Sequence, residues 1–83
     1  MLHLIKKVEY LKDYKLKLTF NDKKQKLVDL KKYSKDGPES VFYPFRDIEF
    51  FKSVKLDKKF GALVWPNGVD LCPDSLYFMG KDI

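Results

Sequence analysis

Apolar and polar residues alternate without a break across KLKLTF, residues 15–20, with Leu16, Leu18 and Phe20 on one side and Lys15, Lys17 and Thr19 on the other. A period of two is the mark of a strand with one buried face. Val8 and Tyr10 repeat the parity in the preceding segment, with Lys7 and Glu9 outward. Val28 and Leu30 repeat it in the following one, where Leu27 falls on the opposite face. The pattern therefore predicts an antiparallel meander with strands near residues 5–11, 15–20 and 24–30, turned at LKDY and NDKK. Asn21 and Asp22 suit such a turn because they tolerate left-handed backbone angles.

After the meander the period changes. Asp29 is placed to cap a short helical turn through Lys32 and Tyr33, which KDGP ends. SVFYPF reads as extended, since Pro44 disfavours helix at the residue before it. Phe45, Ile48 and Phe51 then recur at a spacing of three, which predicts a short helix over residues 46–52. Alternation returns near 53–57, with Val54 and Leu56 inward, and again near 62–65. WPNG fits a type I turn followed by Gly68 in the left-handed region, the loop of a three-residue hairpin with a bulge, and residues 69–71 form the return strand. CPDSLYFMG has the order of a capped helix over residues 73–79: Cys72 at the N-cap, Pro73 at the first helical position, Asp74 at the positive end and Gly80 just past the last turn. The expected fold is α+β, a small antiparallel sheet made of a meander plus a hairpin, packed with two or three short helices.

The length of 83 residues suits a single domain spanning 1–83, and 45% hydrophobic with 16% aromatic residues is the composition of a folded chain. Large aromatic rings bury much area per residue, which helps so short a chain offset its ordering entropy. A core of this size is still marginal, so a partner or self-association into a homo-oligomer is expected. No apolar run approaches the roughly 20 residues of a membrane span, and the lysines of MLHLIKKVEY follow its apolar residues, unlike a signal peptide. One cysteine, Cys72, excludes an internal disulfide and a cysteine-rich zinc site. A cytoplasmic protein with no membrane partner is the default.

Charge is uneven. Residues 1–35 carry eleven lysines against four acids, whereas residues 36–83 carry more acids than bases. Of 17 basic residues only Arg46 is arginine, while nucleic-acid readout favours the planar guanidinium fork. A face formed by Lys15, Lys17, Lys24 and Lys26 could hold nucleic acid without sequence specificity, and that is the second functional reading.

Catalytic groups are scarce. The only histidine, His3, is expected in a frayed terminus, and no GxSxG element is present. Asp47 and Glu49 do not share a helix face, and Asp70 and Asp74 flank a helix start where acids serve as caps. No alternating-acid calcium loop occurs. No enzyme, cofactor or metal is expected. Two turns and a cap account for most of residues 63–78 but leave Trp65, Asn67, Asp70 and Tyr77. With Arg46 these make a candidate partner surface, because Trp, Tyr and Arg dominate binding hot spots. Each has a structural alternative: Trp65 capping the core with its N–H bonded, and Arg46 holding a carboxylate such as Asp70. Cys72, at a helix N-cap, is either a reactive thiol or a small buried packing residue.

The order LTFND, VDL, VFYPFRD, FF, VKLD and GALVWPNGVDLCPDSLY, over about residues 5–78, resembles domain-of-unknown-function family 2442, whose specific element is WPNGxDxxPxxLY. The resemblance implies a small α+β protein of bacteria and their phages. It also implies a neighbourhood: some members are fused to a helix-turn-helix domain, and others are encoded beside a second small protein in what resembles a toxin–antitoxin pair. The first reading is thus a module that binds a small protein, antitoxin-like or regulatory. The chain departs from the family at Asn21-Asp22-Lys23, where members often have a glycine, which suggests a longer loop. No helix-turn-helix half is expected within residues 1–83, so sequence-specific DNA binding by them alone is not implied.

Overall fold

The computed structural model describes residues 3–83. Strands β1 (Ile5–Tyr10), β2 (Lys15–Phe20) and β3 (Gln25–Asp29) form the predicted meander. The register places Leu16 opposite both Tyr10 and Val28, and Leu18 opposite Val8. Leu16, Leu18, Phe20 and Val28 are accordingly buried, and the alternation in the sequence is the alternation in space. The β1–β2 turn carries positive φ at Asp13 and Tyr14, the angles of a primed hairpin turn.

The NDKK turn corrects an expectation. Lys23 N–H donates to Phe20 O and Phe20 N–H to Lys24 O, both at 2.9 Å. The WPNG turn has the same two bonds, Gly68 N–H to Trp65 O at 2.9 Å and Trp65 N–H to Val69 O at 2.8 Å. Both are three-residue loops closed by a left-handed residue, Lys23 (φ 72°) in one and Gly68 (φ 89°) in the other. The lysine does not lengthen the loop. It accepts the strained angle, while the Asp22 carboxylate takes the Lys24 N–H at 3.0 Å and ties the turn down.

The segment after the meander departs from its predicted course. A 3-10 turn over Lys31–Lys35 follows; its cap position is Leu30, not Asp29, whose carboxylate one residue earlier accepts from Lys31 N–H at 3.0 Å. Residues Tyr43–Arg46 are not extended but form a second 3-10 turn with Pro44 in its first turn, where a missing N–H costs nothing. Asp47 then breaks the helix predicted over 46–52. It is extended, its carboxylate caps Glu49 N–H, and helix α1 spans only Ile48–Lys52. Phe45 and Phe51 still reach the same core, from two short turns instead of one.

Strands β4 (Lys55–Asp57), β5 (Ala62–Val64) and β6 (Asp70–Leu71) form a second antiparallel sheet in the order β4-β5-β6, separate from the meander. Gly61 joins the two. It accepts from Ile5 N–H at 2.9 Å, with φ of 65° and no room for a side chain: a Cβ would lie 2.7 Å from that of Leu4. Helix α2 (Pro73–Met79) lays Leu76 on the core, and Gly80 ends it. Gly80 is needed for closeness, because a Cβ there would meet the Lys26 Cβ at 2.9 Å while its own φ is an ordinary −76°. A two-residue strand β7 (Lys81–Asp82), absent from the sequence reading, then adds to β3 and gives the first sheet the order β1-β2-β3-β7. No helix among the described residues is long and apolar enough to cross a membrane.

Candidate functional site

Trp65 is a core residue. Only 2% of it is exposed, its Nε1–H donates to Phe51 O at 2.9 Å, and its ring lies 4.6 Å from that of Phe45. This removes its ring from the candidate partner surface and matches the structural alternative, a strand-end indole that closes the core. The hydrogen bond gives the buried indole N–H its partner, on a carbonyl that also accepts from the Val54 N–H at 3.3 Å.

Arg46 and Asn67 act on the irregular segment between β3 and α1. Arg46 does not meet Asp70. Its guanidinium donates to Asp36 O at 3.1 Å and lies over the Tyr43 ring at 4.1 Å. Asn67 donates to Val41 O at 3.2 Å and accepts from Val69 N–H at 3.2 Å, so the hairpin tip holds residues 36–42 in place. Asp70 is exposed on the edge strand β6.

Tyr77 belongs to a different group. Its hydroxyl donates to Asp22 Oδ2 at 2.7 Å, its ring packs edge-on to Phe20, and Lys26 Nζ sits 4.3 Å above it. The His3 ring stacks on it at 3.7 Å with planes 10° apart, and the His3 backbone N–H donates to Asp74 Oδ1 at 2.9 Å. His3 is therefore packed onto α2 instead of fraying. The Tyr77 hydroxyl holds the Asp22 carboxyl below its ordinary pKa, and the same bond raises that of Tyr77. Lys26 lowers Asp82 in the same way, through an ion pair of 2.8 Å. Phe20 ends β2, whereas Trp65 and Arg46 gather near Phe51 and Tyr14, at its beginning. The predicted partner surface is thus not one surface.

The lysine face also divides. Lys15 and Lys17 point away from the core, but Lys26 pairs with Leu18 in register and points to the core side, its side chain 12% exposed and tied to Asp82 and Tyr77. Lys24 lies in the turn. Asp29 stands opposite Lys15, and Glu9 opposite Lys17. Cys72 is exposed and its side chain makes no capping bond, so it is not the buried packing residue of the alternative.

What the sequence did not single out is an apolar end beside Tyr77. Phe78 is 77% exposed and lies edge-on to His3 at 5.6 Å; Phe60 is 61% exposed and adjoins Gly61, which abuts Leu4. His3 thus touches Phe78, and Leu4 lies against Gly61, the residue after Phe60. Helical spacing could have pointed to Phe78, which follows Leu76 and Tyr77 and so turns away from the face they bury.

The family model for a protein of unknown function, DUF2442, matches residues 5–82. The chain belongs to that family. The match runs from the first strand to β7, so the meander, both three-residue loops and α2 all lie within it. No curated protein and no solved structure gives a significant match.

Proposed function

We propose that the domain is a protein-interaction module with no catalysis of its own, and that its partner docks on the apolar end formed by Phe60, residues 3–4 and Phe78. The observation that carries this reading is the exposure of two large aromatic rings, Phe60 at 61% and Phe78 at 77%, which with Val41 and Ile83 are the most exposed large apolar side chains among the described residues. Covering a phenylalanine fully is worth about 1.5–3 kcal/mol, so these two could anchor a modest complex. Tyr77 lies edge-on to Phe78 at 5.7 Å, its orientation fixed by Asp22, Lys26 and His3. Rigid support lowers the ordering cost of binding.

The partner's identity follows from the family's neighbourhood: a small protein encoded beside this one, with the domain as the antitoxin-like or regulatory member of the pair. Co-expression with the product of the adjacent reading frame, followed by size-exclusion chromatography with light scattering, tests it. A defined complex lost in Phe78→Ser supports the proposal, provided the variant unfolds at the parent's urea midpoint. A complex indifferent to Phe60→Ser and Phe78→Ser contradicts it, and so does a homo-oligomer that alone covers both rings.

A further inference from the structure

The outer face of the meander, opposite the core, carries a recess of about 270 Å³ lined by Lys7, Val8, Glu9, Lys17, Thr19 and Gln25. Gln25 also borders a separate recess of about 250 Å³ at the β2–β3 turn, lined by Lys23, Lys24, Asp82 and Ile83, where Asp82 is already paired with Lys26 at 2.8 Å. The recess on the outer face is a trough with two lysines, Lys7 and Lys17, and one carboxylate, Glu9. The register shifts between Ile5 and Lys7, and a bulge of this kind bends a strand and re-aims its side chains. Lys7 then stands opposite Thr19, and Glu9 opposite Lys17.

We infer that this trough binds an extended acidic peptide segment of a protein partner, a second surface distinct from the apolar end. Lys7 and Lys17 are diagonal neighbours on adjacent strands, a separation of roughly 7–8 Å. Acidic side chains on one face of an extended chain repeat every two residues, at roughly 7 Å. The two spacings match, so alternate carboxylates can meet successive ammonium groups, with the Thr19 hydroxyl beside both and the Gln25 amide on the far side of Thr19. Nucleic acid fits less well. The lining has no aromatic ring on which bases could stack and no arginine fork. Glu9 would also oppose an unbroken row of phosphates, whereas a peptide can leave its position neutral.

Fluorescence anisotropy with a labelled synthetic peptide of alternating glutamate and threonine tests this at low salt. Saturable binding is expected that weakens as salt is added, because exposed charges are screened. Lys7→Gln and Lys17→Gln should each weaken it about two- to fivefold, the range for one exposed ion pair. Glu9→Gln should tighten it, an effect that general damage to the fold would not produce. Lys31→Gln, on the first 3-10 turn, and Phe78→Ser, at the apolar end, should leave it unchanged. Loss of peptide binding and loss of the partner complex are therefore separate readouts. The inference fails if the parent shows no saturable binding, or if Lys31→Gln weakens it as much as Lys17→Gln. It fails equally if Glu9→Gln does not tighten binding, or if an oligothymidylate binds more tightly than the peptide.

Discussion

Replacing Gly61 and Gly68 by alanine, one at a time, separates two reasons for a glycine. Backbone angles alone rank Gly68 as the more demanding site. Its φ of 89° lies beyond the left-handed well, whereas the 65° of Gly61 lies inside it. Space reverses the ranking. A Cβ on Gly68 meets nothing within 4 Å, so Gly68→Ala should cost only strain, about 1–3 kcal/mol. At Gly61 a Cβ falls 2.7 Å from the Leu4 Cβ and 2.9 Å from its Cα, so strand β1 must move. Overpacking of about 1–3 kcal/mol, left-handed strain of about 1–2 and the loss of the Ile5–Gly61 hydrogen bond, about 0.5–1.5, together approach 3–6 kcal/mol. That is comparable to the roughly 4–12 kcal/mol expected for the whole domain. Urea denaturation followed by circular dichroism reads both variants. Gly68→Ala should fold with a lowered midpoint, and Gly61→Ala should be largely unfolded without denaturant. Equal midpoints would show that the Gly61 junction does not hold the two sheets together.

Lys23→Gly should raise stability by about 0.5–1 kcal/mol, since relief of left-handed strain outweighs the added unfolded-state entropy; an unchanged or lower urea midpoint would refute the shared loop geometry. Trp65→Phe should cost about 1–3 kcal/mol, because it removes the indole hydrogen bond to Phe51 O and leaves a cavity; a change below about 0.5 kcal/mol would place Trp65 on the surface. For pH the signs are opposite at the two ends. Asp22 and Asp82 have lowered pKa values, so their contribution is present above the ordinary carboxylate range and is lost as pH falls through their folded values. Tyr77 and Tyr14 are raised, the first by its bond to Asp22 and the second by desolvation, so their contribution holds below the ordinary phenol pKa and is lost as pH rises through the folded one. Urea midpoints measured across pH should plateau near neutrality, and Asp22→Asn should flatten the acid limb.

Local rules carried much of the fold. Strict alternation located β2 and its buried face, Val8 and Tyr10 carried the parity into β1 beyond its bulge, and Pro66-Asn67-Gly68 encoded its own turn. The failures share a cause, dependence on distant parts of the chain. Lys81–Asp82 has no alternation and becomes a strand only because Gly80 lets α2 end against β3. The hairpin strands form a sheet separate from the meander, and the Gly61 junction with residues 4 and 5 that ties the two is a long-range contact. Candidate site residues were hardest to place, because polar and aromatic groups choose partners across the fold: Arg46 took the carbonyl of Asp36 in preference to a carboxylate, and Tyr77 reached Asp22. The residue types flagged a tethered end of the molecule, and the packing showed that the exposed ring there is Phe78.

Hydrogen–deuterium exchange of the chain, free and mixed with the protein encoded beside it, tests the central claim most directly. The account predicts new protection in α2 and around residues 3–5 and 58–61, with the amides of residues 65–69 unchanged. Protection confined to the 65–69 hairpin, with α2 exchanging as in the free chain, would contradict it.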